Sequence, residues 1–161
     1  MRKILIPVDG SPQSDAAVRA VVAQARREPI AAIHLLNVQP VLGRYITRFV
    51  DRAAVRGFLR DESDRCLAGA RRILDNAGLR YQLHFRIGRT APAIADTAEA
   101  LGVDEIVMSA EGGGLVGNLR MWLLVTAVRR QANLPVLVVM GSEREPRIDL
   151  PIDRWGSTVP R

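Results

Sequence analysis

Hydrophobic positions along the chain fall into two kinds of run, short and unbroken or long and periodic. "KILIPV" (Lys3 to Val8), "AAIHLLNV" (Ala31 to Val38), "DEIVMS" (Asp104 to Ser109) and "PVLVVM" (Pro135 to Met140) are short apolar runs without clean alternation. Such runs suit strands buried on both faces, hence a parallel sheet. "YQLHFRI" (Tyr81 to Ile87) alternates more and is placed at a sheet edge.

Between these runs lie helical patterns. After the first, Ser11 and Pro12 read as N-cap and first helical residue, and Ala16, Ala17, Ala20, Val21 and Ala23 give a small-residue face. A second helix is expected from Arg48 to Ala77, with Leu59, Cys66, Ala70, Ile73 and Ala77 on one face and Gly78 as its left-handed stop. A third, with Thr90 as its cap and Ile94, Ala98 and Leu101 on one face, closes at Gly102. A fourth runs from about Asn118 to Gln131. The order β-α-β-α-β-α-β-α-β predicts an α/β fold: a doubly wound, Rossmann-like, five-stranded parallel sheet in the order 3-2-1-4-5, with helices on both faces.

Composition narrows the function. The chain has 161 residues, enough for one domain with a sizeable core, with 48% hydrophobic and 25% charged residues. Aromatics are 4%, so the core is aliphatic. The net charge of +6 comes from arginine, Lys3 being the only lysine. These arginines are interspersed with Asp and Glu along the helices, without a basic block or interleaved aromatics, so no nucleic-acid partner is expected. Cys66 is the only cysteine, which excludes an internal disulfide and a cysteine-built zinc site. The N-terminal apolar run is too short for a signal peptide and no run approaches a membrane span, so a cytoplasmic protein without membrane contact is expected. Residues 141–161, with mixed charges, three prolines and Trp155, form no packed unit alone. They read as an extended or partly disordered tail, or as an arm docking Leu150, Ile152 and Trp155 on a neighbouring surface.

In an open α/β sheet, ligands sit beyond the carboxyl ends of the strands where the order reverses. Strands one and four flank that point, and their ends carry "PVDGS" and "VMSAEGGG". Asp9 suits either a ribose or base contact, or a turn held by its own backbone. Gly112 to Gly114 suit either a phosphate cradle or a plain loop. His34 and His84 lie within strands, without a carboxylate partner or metal-ligand spacing, and Ser11 and Ser14 have no evident base. Neither G-x-x-x-x-G-K-[ST] nor G-x-G-x-x-G follows the first strand. No enzyme, catalytic residue or metal is indicated.

"KILIPVDGS", "LLNVQP", "EIVMSAEGGG" and "NLPVLVV", in this order and spacing, resemble the universal stress protein family over residues 1 to 140. The resemblance implies a cytoplasmic homodimer built through the last strand, Pro135 to Met140, and a stress-response role that often has no known reaction. One branch of the family binds ATP through G-x-x-G, nine residues, then G-[ST]. Counted back from "NLPVLVV", Gly112 takes the second glycine, Ser109 stands where the first belongs, and Trp122 and Leu123 stand where Gly-[ST] belongs. Losing those charged-ligand hydrogen bonds costs roughly 1.5–3 kcal/mol each, enough to turn micromolar binding into millimolar.

The base end matches better. Pro7, Val8 and Asp9 match the adenine-contacting segment, Val38 the residue after strand two, and Met108 the end of strand four. The resemblance thus implies a remnant nucleotide pocket of Pro7, Val8, Asp9, Val38, Met108, Ser109 and Gly112, in the branch that does not bind ATP. Trp122, Met121 and Leu124 are expected to fill it. The expected function is a non-catalytic stress protein acting through contacts with unidentified proteins. The alternative is a sensor of ATP or AMP with weak or slow hydrolysis, with Arg120 as an anion partner.

Overall fold

The computed structural model describes residues 1–42, 51–109, 114–140 and 147–148. The elements run β1 (Arg2–Pro7), α1 (Pro12–Ala25), β2 (Ile30–Gln39), α2 (Arg52–Asn76), β3 (Gln82–Ile87), α3 (Thr90–Leu101), β4 (Glu105–Ser109), α4 (Gly114–Gln131), β5 (Val136–Met140) and β6 (Arg147–Ile148). The sheet order is β3-β2-β1-β4-β5-β6. The first five strands are parallel in the expected 3-2-1-4-5 order, with β3 at the edge. The sequence did not announce β6. This two-residue strand pairs antiparallel with β5, Val139 opposite Ile148 and Met140 opposite Arg147.

The sheet alternates its side chains between two aliphatic cores. On one face Ile4, Ile6, Ile33, Leu35 and Val107 pack against Val18 and Val21 of α1 and Leu67 and Leu74 of α2. On the other, Leu5, Leu36, Ile106, Met108 and Val138 pack against Ile94 and Ala98 of α3 and Val125 and Val128 of α4. Continuous apolar strands are needed because helices cover both faces.

Helix ends follow local chemistry. The Ser11 side chain accepts from the Ser14 N–H at 3.1 Å, with Pro12 in the first turn. Gly78 and Gly102 take positive φ of 68° and 57°.

Four expectations are corrected. Thr90 is the first residue of α3 rather than its cap, and the N-cap residue Arg89 makes no side-chain capping bond. The buried stripe of α2 is Leu59, Ser63, Leu67, Ala70 and Leu74. Cys66 and Ile73, expected on it, lie one position off and are only partly covered. Helix α4 starts at Gly114, four residues before the expected Asn118. Helix α2 starts at Arg52, with Asp51 as its N-cap residue, later than the expected Arg48, which itself lies outside the described residues.

Candidate site at the carboxyl ends of β1 and β4

A crevice of about 60 Å³ opens where the strand order reverses. Pro7, Val8 and Asp9 reach it from β1, Leu36 and Val38 from β2, and Met108 and Ser109 from β4. Ser14 of α1, Thr90 and Ile94 of α3, and Met121 and Leu124 of α4 complete the wall. Six of the seven residues expected in the remnant pocket therefore meet in one place, and Gly112 lies outside the described residues. The sequence reading missed Leu36, Ser14, Thr90 and Ile94. The helix residues come from the two elements flanking the switch point, and no local signal marks them.

The floor is fixed by backbone and amide bonds. Val8 N–H donates to the Leu36 carbonyl at 2.8 Å. The buried Asn37 amide donates to the Val8 carbonyl at 2.7 Å and accepts from Gln39 Nε2 at 2.9 Å. Asn37 thus ties the end of β2 to the turn that carries Asp9.

Asp9 takes the structural alternative in this conformation. Its Oδ1 accepts from the Ser11 N–H at 3.0 Å and from Ser11 Oγ at 2.5 Å. Ser11 Oγ in turn accepts from Ser14 N–H, so one carboxylate and one hydroxyl hold the turn and start α1. Between them Gly10 has φ of 83°, and a Cβ there would sit 3.0 Å from the Cys66 Cα. Glycine is needed for both conformation and space. Ser11→Ala is expected to lower stability by about 1 kcal/mol, measured as a shift in the urea midpoint; an unchanged midpoint would show that the cap adds nothing.

Trp122 and Leu123 do not fill the crevice as expected for Trp122. Both are exposed, at 52% and 62%, while Met121 and Leu124 turn inward. The reason is helical phase: with Val125 and Val128 buried, Trp122 and Leu123 lie away from the buried stripe. They also lie more than two turns inside α4, where backbone N–H groups are already bonded within the helix.

Two histidines fifty positions apart in sequence meet on the neighbouring strands β2 and β3. His34 Nδ1 lies 3.0 Å from His84 Nε2. Burial holds both imidazoles below the usual histidine range. Lys3 adds to the effect at His34, and His34 and Arg86 add to it at His84. An unfolded chain, with histidines near 6.5, takes up protons first as pH falls. The contribution of the neutral pair is present above that value and lost on acidification below it. The urea midpoint should therefore drop between about pH 7 and about pH 5, and drop less in His34→Gln/His84→Gln. Equal slopes would remove the pair from the account.

Burial, followed by Glu62 and Asp9, pushes the Cys66 thiol up, with Gln39 and Asn37 opposing. A thiol of this kind is a poor nucleophile at neutral pH. Among the described residues no group of three or more His, Cys, Asp and Glu side chains is placed to hold a metal ion. No described helix is long and apolar enough to cross a membrane.

The model of the universal stress protein family matches residues 1–140. The universal stress protein MJ0531 of Methanocaldococcus jannaschii is 27% identical over 146 residues, covering 89% of this chain and 85% of that protein. Universal stress protein UspA from Lactobacillus plantarum is similar in structure, with a TM-score of 0.69 at 20% identity, over 85% of this chain and 96% of the other. A universal stress protein family member from Arabidopsis thaliana, solved with AMP bound, has a TM-score of 0.63 at 13% identity, over 88% and 93% of the two chains. At such identities the two structural likenesses speak for the fold alone.

Proposed function

The chain belongs to the universal stress protein family, and we propose that it is a non-catalytic stress-response protein that acts through protein contacts, its nucleotide crevice reduced to the base-binding end. The observation that carries this reading is the position of Trp122 and Leu123 inside α4. The positions matching a glycine–hydroxyl pair offer no free backbone donors, and Leu123 has no hydroxyl. The crevice itself is apolar on most of its wall, and the Asp9 carboxylate already bonds Ser11. A cytoplasmic setting belongs to the same proposal.

A second reading has its own support. Every described residue expected at the base end lines the crevice, and one structural relative holds AMP. A mononucleotide whose base enters between Val8, Val38 and Met108 is the ligand this reading predicts, with the first-turn N–H groups of α4, at Gly114 to Gly117, as the donors near its phosphate.

Self-association through β5 is proposed with one restriction. Ile148 and Arg147 already pair with Val139 and Met140, so a homodimer built on the Pro135–Met140 edge uses the part before Val139, or displaces β6. The first reading is tested by acid extraction of the purified protein and chromatography of the extract. It predicts no stoichiometric nucleotide, and one nucleotide per chain would sink it.

A further inference from the structure

Helix α4 carries an apolar stripe that no described residue covers. Leu119, Trp122 and Leu123 are 61%, 52% and 62% exposed, and their spacing of three and four puts them on one side of the helix. Which side can be read from their neighbours. Leu124 and Gln131 lie toward α3, since they share cavities with Ile94 and with Glu99 respectively. Arg129 lies on the opposite flank, where its guanidinium donates to the Val136 carbonyl of β5 at 3.3 Å. Trp122 is seven residues before Arg129 and so shares that flank. Trp122 therefore lies at the edge of the stripe nearest the outer side of β5, the side on which β6 sits, and Leu119 and Leu123 turn further from the sheet.

We infer that the chain's own C-terminal segment, Asp149 to Trp155, docks on this stripe. Direction is the first argument. β6 runs antiparallel to β5, from Arg147 opposite Met140 to Ile148 opposite Val139. The chain therefore leaves β6 heading toward the amino end of β5, which is also the direction of α4 from Trp122 to Arg130. Length is the second. Seven extended residues span about 23–25 Å, whereas Leu119 to Arg130 is about 16 Å of helix.

Chemistry is the third argument. "IDLPIDRW" sets apolar residues at Ile148, Leu150 and Ile152 and ends on Trp155, with Asp149 and Asp153 between them and one cation, Arg154, so the segment from Asp149 to Trp155 is acidic by one charge. Helix α4 has no acidic residue from Gly114 to Gln131, and it carries Arg120, Arg129 and Arg130. Two carboxylates beside apolar side chains complement an apolar stripe flanked by arginines. Pro151 lacks the N–H that a longer ladder on β5 would use, so side-chain docking on the helix is the better use of the segment. This inference does not depend on whether the crevice holds a nucleotide.

Trp122 and Trp155 are the only tryptophans, which makes the test direct. In Trp155→Phe the remaining indole reports on the stripe. Acrylamide quenching of Trp122 is compared in that variant, in the same variant truncated after Ile148, and in the same variant carrying Asp149→Arg and Asp153→Arg. Docking predicts weak quenching that is independent of protein concentration in the full chain, and a severalfold rise with a red-shifted emission in both altered forms. Equal quenching in all three overturns the inference. Shielding that grows with protein concentration and survives truncation also overturns it, because a second copy would then be the occupant.

Discussion

Leu36→Ala is expected to destabilise the protein by about 2–5 kcal/mol, the largest effect of any single change considered. Leu36 is fully buried in the core beneath α3 and α4, and it also forms part of the crevice wall. Truncation removes its packing and joins the new void to the crevice. Urea unfolding at neutral pH checks the value. A loss below about 1 kcal/mol would mean that the site collapses easily, and that the crevice wall is softer than its burial indicates.

Asn37→Leu should come next. The side chain is buried, and both its ends are used, toward the Val8 carbonyl and Gln39 Nε2. Leucine fills a similar volume but leaves the Val8 carbonyl without its amide donor, at about 1–3 kcal/mol for the unpaired group, and takes one of two partners from Gln39 Nε2, which keeps its contact to Cys66 Sγ. The loss should be local as well as global. Amide exchange at Val8 to Ser11 should speed up more than exchange in β5, since Asn37 anchors the turn that carries Asp9. Uniform acceleration across the sheet would show that Asn37 serves the core generally and not the crevice floor.

The fold was legible because its signals are local and repeated. Unbroken apolar runs such as "KILIPV" report burial on both faces, and the connections between them leave few topologies for a parallel sheet. Ser11, Gly78 and Gly102 took their expected places because caps and left-handed stops depend on adjacent residues only. The switch point then brought Pro7, Val8, Asp9, Val38, Met108 and Ser109 together without any contact having been visible in the sequence.

What the sequence left out has physical reasons too. The His34–His84 contact depends on the register of β2 on β3, in which His84 lies opposite Leu36, and no periodicity encodes that register. The stripe of α2 was right at Leu59 and Ala70 but one residue off at Cys66 and Ile73, because a short thiol and a partly covered isoleucine look as apolar as Leu67 and Leu74. Helix α4 was expected from about Asn118, yet packing of Val125 and Val128 against the sheet supports a helix that begins at Gly114. Helical phase, set by the buried Val125 and Val128, changed the reading of Trp122. Its ring, expected in the crevice, became part of an exposed stripe. The two-residue β6 was hidden because "RI" has no strand signature of its own and gains its place only by pairing with β5.

The central claim is that the crevice keeps a base-binding end and lacks the means to hold a triphosphate. Calorimetric titration with ATP and with AMP, in the presence of magnesium and on protein freed of bound nucleotide, tests it most directly. The account predicts no saturable heat with ATP below about 1 mM, and no advantage of ATP over AMP. Micromolar binding of ATP, tighter than that of AMP, would contradict it and would place the terminal phosphates at the start of α4 in a register that Trp122 and Leu123 do not govern.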